Sequence, residues 1–203
     1  MDRSHEAYIN TPHEIEILKP KNLTIPLKNV NHDIGIPYFE KADILELLSK
    51  LPPNKHGILF QFLWRTGIRV SEVIRVKKCD LDFDNNEMTI VWLKNRKHYS
   101  RRLAMHQSLK MPLWSYTAHL LTNDLLFPYT RQYVHQLCRK YNFGHAHKIR
   151  HSFAVNFLRQ RESAIGIIEL KEILGHSNIK STMEYLKVVP ISQKKALAAI
   201  NFD

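Results

Sequence analysis

Only two cysteines, Cys79 and Cys138, occur in the 203 residues. They are too few and too scattered for a disulfide framework or a zinc site, which leaves them as small core or surface residues. No run of eighteen apolar residues is present, and the N-terminus lacks the pattern of a secretion signal. These absences predict a soluble protein of the cell interior, cytoplasmic or nucleoid-associated, without a membrane segment. Internal repeats and low-complexity tracts are also missing. Acidic residues are scarce: 19 Asp+Glu stand against 30 Lys+Arg, for a formal charge of +11 and a pI near 9.7. Such a field favours a polyanionic partner, most commonly nucleic acid. An acidic membrane is the competitor, but no amphipathic basic helix or lipidation motif supports it. Charge alone does not separate DNA from RNA.

What is present is an ordinary globular core, with 44% hydrophobic residues in a chain long enough for one domain plus an arm. Residues 1–36 hold Pro12, Pro20 and Pro26 with few periodic apolar positions, which reads as an arm or interdomain linker; residues 37–203 form the domain. Helical spacing begins at Glu40–Leu48 and is stopped by Pro52 and Pro53. A second, more apolar helix runs from His56 to Arg65 with Gly67 as its left-handed stop, and a short one spans Ser71–Lys77. Then the period changes. Met88–Leu93 is β-branched and strand-like, and Arg101–Met105 returns after a polar turn, giving a hairpin whose tip carries Lys94, Arg96, Lys97 and His98. Helical patterns follow at about 108–121, 130–141, 148–160, 164–174, 178–187 and 191–200. The fold class is therefore mainly α with a small antiparallel sheet (α+β), since the strands do not alternate with helices.

Three islands carry residues suited to chemistry on a phosphate. The first is Thr66–Glu72, in which Arg69 follows a helix stop and precedes Ser71, a plausible N-cap. A guanidinium at such a turn can fork onto two phosphate oxygens, although an arginine paired with Glu72 or Asp43 is the plainer reading. The second is His147–His151, where His147 and Arg150 share a helix face. His145, His147 and His151 lack an Asp, Glu or Cys at ligand spacing, so no metal is expected. The third is Leu174–Tyr185, with His176 at a helix junction and Tyr185 nine residues later. Taken alone, Tyr185 sits at helical spacing from Ile179 and Met183 and fits a core residue, and His176 fits a loop histidine bonded to backbone. A tyrosine, with a pKa of about 10, becomes a useful nucleophile only where cations surround the phosphate it attacks.

In chain order these islands resemble the tyrosine recombinase (phage integrase) family over roughly residues 37–190. Thr66–Glu72 is similar to its first arginine box, His147–Ala154 to its His-x-x-Arg box, and Leu174–His176 with Tyr185 to its final box. The resemblance implies the catalytic-domain fold of that family and a metal- and ATP-independent DNA strand transferase without cofactors. It implies that Tyr185 attacks the scissile phosphate to give a 3′-phosphotyrosyl link and a free 5′ hydroxyl. Arg69 and Arg150 would hold the non-bridging oxygens, and His176 would bind the phosphate. His147 would assist proton transfer, and Glu72 would support the site. Lys94 is the general acid the resemblance implies, with Lys97 as its rival; Arg96, Lys97 and Arg101 are expected DNA contacts. The partner implied is double-stranded DNA, bound by a homo-tetramer that is a monomer or dimer when free. The helix at about 192–200 is similar to an element that family members lend to a neighbour, although docking on its own core is equally allowed.

Residues 1–36 are expected to be linker and not the N-terminal helical clamp that family members commonly carry. That fits either a catalytic fragment or the short, catalytic-domain-only members. Two alternatives stand beside a recombinase: a type IB topoisomerase-like nicking and closing enzyme, and a DNA-binding protein with a vestigial site. An intact Arg–Lys–His–Arg–His–Tyr set argues against decay. An RNA-binding module would need an aromatic-rich binding strand that the sequence does not show.

Overall fold

In the computed structural model, the described residues are 35–94, 97–161 and 164–189, with the side chains of 93–98 and 164 excluded. The arm up to residue 34, the turn residue Arg96, the side chains of Lys94, Lys97 and His98, and the terminal helix at 192–200 therefore lie outside the described residues.

Helix α1 (Lys41–Ser49) buries Ile44, Leu47 and Leu48, the i, i+3, i+4 stripe of an amphipathic helix. Helix α2 (Lys55–Thr66) starts at Asn54, whose side chain accepts from the His56 N–H at 2.9 Å. It buries Leu59, Phe60, Phe62 and Leu63 and so runs through the core. It stops at Gly67, with φ of 62°. A Cβ there would also run into the Phe153 ring, so glycine both permits the left-handed turn and lets α2 end against the later helix that carries Arg150. Helix α3 is only Val70–Val73, shorter than the expected Ser71–Lys77. Ser71 lies inside it, and Arg69 takes the N-cap position expected for Ser71.

A 3-10 turn at Lys78–Asp80 leads into a three-stranded antiparallel sheet, ordered β1 (Leu81–Asp82), β2 (Glu87–Lys94), β3 (Lys97–Ala104). The two-residue β1 lies in a stretch that reads as turn, since Asp80–Glu87 is turn-rich in composition. Register pairs Met88 with Leu103, Ile90 with Arg101 and Trp92 with Tyr99. Side chains alternate along a strand, so Arg101 shares the inward face with buried Met88, Ile90 and Leu103.

The remaining helices are α4 (Gln107–Thr117), α5 (Arg131–Lys140), α6 (Ala146–Gln160), α7 (Ala164–Leu174) and α8 (Lys180–Met183), the last running into a 3-10 turn at Glu184–Lys187. The expected 178–187 helix is thus split between α and 3-10 geometry. Among the described residues, two apolar clusters form the core. The larger joins α1 to α5 and the sheet, with the Phe60 and Phe143 rings stacked at 4.4 Å. The smaller contains Tyr38, Ala154, Val155, Leu158, Ile167, Leu170, Leu174 and Tyr185. Helix α6 belongs to both, sending Ile149 into the first and Ala154 to Leu158 into the second. Each such buried leucine or phenylalanine contributes about 1.5–3 kcal/mol, so the seam where the clusters meet is rigid. Arg150 sits on that seam. No described helix is long and apolar enough to cross a membrane.

Candidate active site

The site is organised by the C-terminal end of α7. The last carbonyls of a helix have no partner within it and carry the negative end of its dipole. Here they are taken by guanidinium groups from three other segments. Ile173 O accepts from Arg101 Nε at 3.2 Å. Leu174 O accepts from Arg150 Nη2 at 3.0 Å and from Arg69 Nη1 at 3.5 Å. Gly175 follows with φ of 65°, and a Cβ there would lie 2.7 Å from Arg101 Nη1. The chain must therefore be glycine where it passes this cluster.

Arg150 is 4% exposed and donates to Gly67 O at 2.8 Å as well as to Leu174 O. Burial, with the repulsion of Arg69, pulls its pKa down to about 10, so it stays charged at neutral pH. Its Nη2 also lies 3.0 Å from His176 Nε2. A guanidinium cannot accept, so Nε2 is the acceptor and the His176 proton is on Nδ1, donated to Thr182 Oγ1 at 2.8 Å. Burial and the surrounding arginines hold the His176 pKa down at about 4, which keeps that tautomer neutral.

Glu72 is the counter-charge. It is 1% exposed and accepts from the Arg69 backbone N–H at 2.8 Å and from Arg69 Nη1 at 3.3 Å. Arg101 forks onto it, with both contacts at 3.1 Å. Burial pushes the carboxyl pKa up, but the bonds from Arg101 and Arg69 outweigh it and the net shift is downward. Arg101 also lies 5.2 Å above the Trp92 ring. Strand register turns Arg101 inward, where it fixes Glu72 and α7 and keeps 12% of its side chain exposed. Arg69 is the more open of the two, with 37% of its side chain exposed, and both line a cavity of about 860 Å³ together with Arg75, Trp92 and His176.

Glu72→Gln should be costly for stability. It leaves Arg101 buried against a neutral amide, and loss of one partner of a buried pair costs about 3 kcal/mol. Because the folded carboxyl pKa is depressed, the stabilisation is present above the ordinary carboxylate range and is lost as pH falls through the lower folded value. Urea unfolding of the variant should show the lower midpoint and a shallower loss of stability in acid than the parent.

Tyr185 is 4% exposed, and its hydroxyl lies 2.9 Å from His151 Nδ1. Burial raises the phenol pKa, while Arg150 and Arg69 pull it down, so both guanidinium groups act on this oxygen. Residues far apart in the chain thus converge around α6 and the end of α7. His147 lies one turn before His151, with ring centroids 6.2 Å apart, and burial with Arg150 lowers its pKa. His151 went unrecognised in the sequence except as a rejected metal ligand. Among the described residues no group of three or more His, Cys, Asp or Glu has a metal-binding arrangement.

A second feature was also missed. Helix α5 buries Val134, Leu137 and Cys138 and turns outward a polar face of Arg131, Gln132, Gln136 and Arg139, beside a recess of about 540 Å³. Its signal is the spacing 131, 135, 139 with 132 and 136, opposite the apolar stripe.

Residues 38–190 match the model of the phage integrase family. The chain is 30% identical over 176 residues to a tyrosine recombinase XerA of Thermococcus onnurineus, covering 77% of this chain and 60% of that protein. It is 26% identical to the tyrosine recombinase XerA of Thermococcus kodakarensis, over 96% of this chain and 70% of that one. Against the first of these it spans about three-fifths of the relative's length. Among solved structures, a XerA recombinase superposes with a TM-score of 0.62 at 21% identity, over 88% of this chain and 68% of that one. The XerH site-specific recombinase bound to its difH substrate superposes with a TM-score of 0.59 at 23% identity, over 87% of this chain and 55% of that one.

Proposed function

Since the chain belongs to the phage integrase family, we propose that it is a site-specific recombinase that cuts and rejoins DNA through a covalent bond to Tyr185. One observation carries this reading: Arg69, Arg150 and His176 gather at the end of α7, within whose field the Tyr185 hydroxyl lies. Attack of the phenolic oxygen on phosphorus forms a 3′-phosphotyrosyl link and expels the 5′ oxygen. Negative charge grows on the non-bridging oxygens, and preorganised guanidinium groups stabilise it without reorganisation at the moment of reaction. Arg69 meets the phosphate from the open cavity. Arg150 uses three N–H groups on Gly67, Leu174 and His176, which fixes its plane and leaves two for the phosphate. A hairpin lysine, Lys94 or Lys97, protonates the leaving oxygen. The covalent link preserves the bond energy, so rejoining needs no ATP.

The charge of +11 and the outward face of α5 support duplex DNA as the partner. Arg131 and Arg139 suit phosphates, and Gln132 and Gln136 suit base edges. Exchange between two duplexes would take four copies on DNA. The test is a pool of nicked suicide duplexes with varied core sequence, from which the 5′ fragment diffuses after cleavage. A protein–DNA adduct that survives denaturation is expected; its absence across the pool would refute the proposal.

A further inference from the structure

We propose that His151, rather than His147, is the base that takes the phenolic proton of Tyr185. The inference rests on the proposed function and deepens it. Its foundation is the 2.9 Å contact between His151 Nδ1 and the Tyr185 hydroxyl, made by rings 5.8 Å apart and tilted by 56°. His147 is one helical turn away, its ring 6.2 Å from that of His151. Arg150 and His151 are consecutive on α6, so their side chains leave the helix about 100° apart. Arg150 turns to the end of α7, and His151 to the turn carrying Tyr185. One turn of one helix thus holds both the phosphate ligand and the acceptor for the nucleophile's proton.

A base must be unprotonated before the reaction. The groups facing His151 are His147, Arg150 and His145 along its own segment, and Tyr185 from the turn packed on it. Burial first, and then the electrostatic influence of His147, Arg150 and His145, hold its pKa at about 4. The imidazole is therefore neutral at physiological pH, and its tautomer with the proton on Nε2 leaves Nδ1 to accept from the phenol. The phenol is protonated as well, since burial raises its pKa. Proton transfer is uphill in the free protein, so the nucleophile stays unreactive without DNA. A bound phosphate adds negative charge beside the imidazole and favours its protonated form.

In the step itself, the Tyr185 oxygen–phosphorus bond forms as the phosphorus–5′ oxygen bond breaks. The phenolic proton moves to His151 Nδ1, and the leaving oxygen takes its proton from the hairpin lysine. Rejoining runs the same path backwards: the 5′ hydroxyl attacks, the phenolate leaves, and His151 returns the proton.

Single-turnover cleavage of a suicide duplex tests this with His151→Ala and His151→Asn. Both should bind DNA as the parent does and cleave it about 100-fold more slowly, the range for loss of a general base. His151→Asn keeps a polar acceptor in place and serves if the alanine variant fails to fold. Added imidazole should restore most of the His151→Ala rate, whereas pyrazole, of the same shape but far less basic, should not. The defect should persist on a duplex with a 5′-bridging sulfur, whose thiolate leaves without a proton. Parent-like cleavage by both variants, equal rescue by pyrazole, or loss of the defect on the sulfur substrate would each overturn the inference while leaving the recombinase reading intact. No adduct from the parent protein would overturn both.

Discussion

Tyr185→Phe yields no denaturation-resistant adduct on any suicide duplex, yet binds duplex DNA within about twofold of the parent. The expectation follows from what the substitution removes. The ring is part of the smaller apolar cluster, with Tyr38, Val155, Leu158, Leu170 and Leu174, and phenylalanine refills that space. Only the hydroxyl and its bond to His151 are lost, at a net cost of about 1 kcal/mol. The fold and the cationic surface survive, and the nucleophilic oxygen does not. Electrophoresis after denaturation reads the adduct, and fluorescence anisotropy reads the binding. An adduct formed by Tyr185→Phe would place the nucleophile elsewhere.

The second large effect is expected at Arg150. Arg150→Ala should lower single-turnover cleavage by about 10³-fold or more, as loss of a preorganised charge donor does. It should also lower the melting temperature, because Gly67 O and Leu174 O lose a buried donor at about 1–3 kcal/mol each. Lysine should rescue little, since a single ammonium cannot span two carbonyls and a histidine in a fixed fork. Arg69 provides the contrast. Its side chain is more than a third exposed, so Arg69→Ala should cut cleavage by about 10²-fold with a much smaller change in melting. Measuring both quantities for both variants separates a group that stabilises the transition state alone from one that also holds the segments of the site together.

Much of this site is legible in the sequence because its residues lie in local patterns. Gly67 and Gly175 mark helix stops by composition, and Arg69 and His176 follow them directly. The His147–Arg150 pair shares a helical face once the helix starts near residue 147, and α6 starts at Ala146. What escapes is set by contacts between distant segments. Arg101 reads as a surface cation because the hairpin tip around it is basic. Yet Met88 and Ile90 fix one face as inward, and the pairing of Met88 with Leu103 carries Arg101 to that same face. His151 gains its role only when the 184–187 turn folds back onto α6, and no local spacing predicts that approach. Helix α3 is shorter than its periodicity because after Ile74 the bonding tightens to Arg75 N–H on Glu72 O and Val76 N–H on Val73 O.

The end of α7 has a practical consequence for engineering. Three guanidinium groups are anchored to carbonyls in its final turn. Deleting or inserting one residue between Ile165 and Leu174 would swing those oxygens by about 100° and shift them by about 1.5 Å, dismantling the site from one place. Ile165 and Ile168, on the solvent side of the same helix, carry no such constraint and can be diversified freely. The helix thus behaves as a measured spacer, tolerant on its solvent side and intolerant in length.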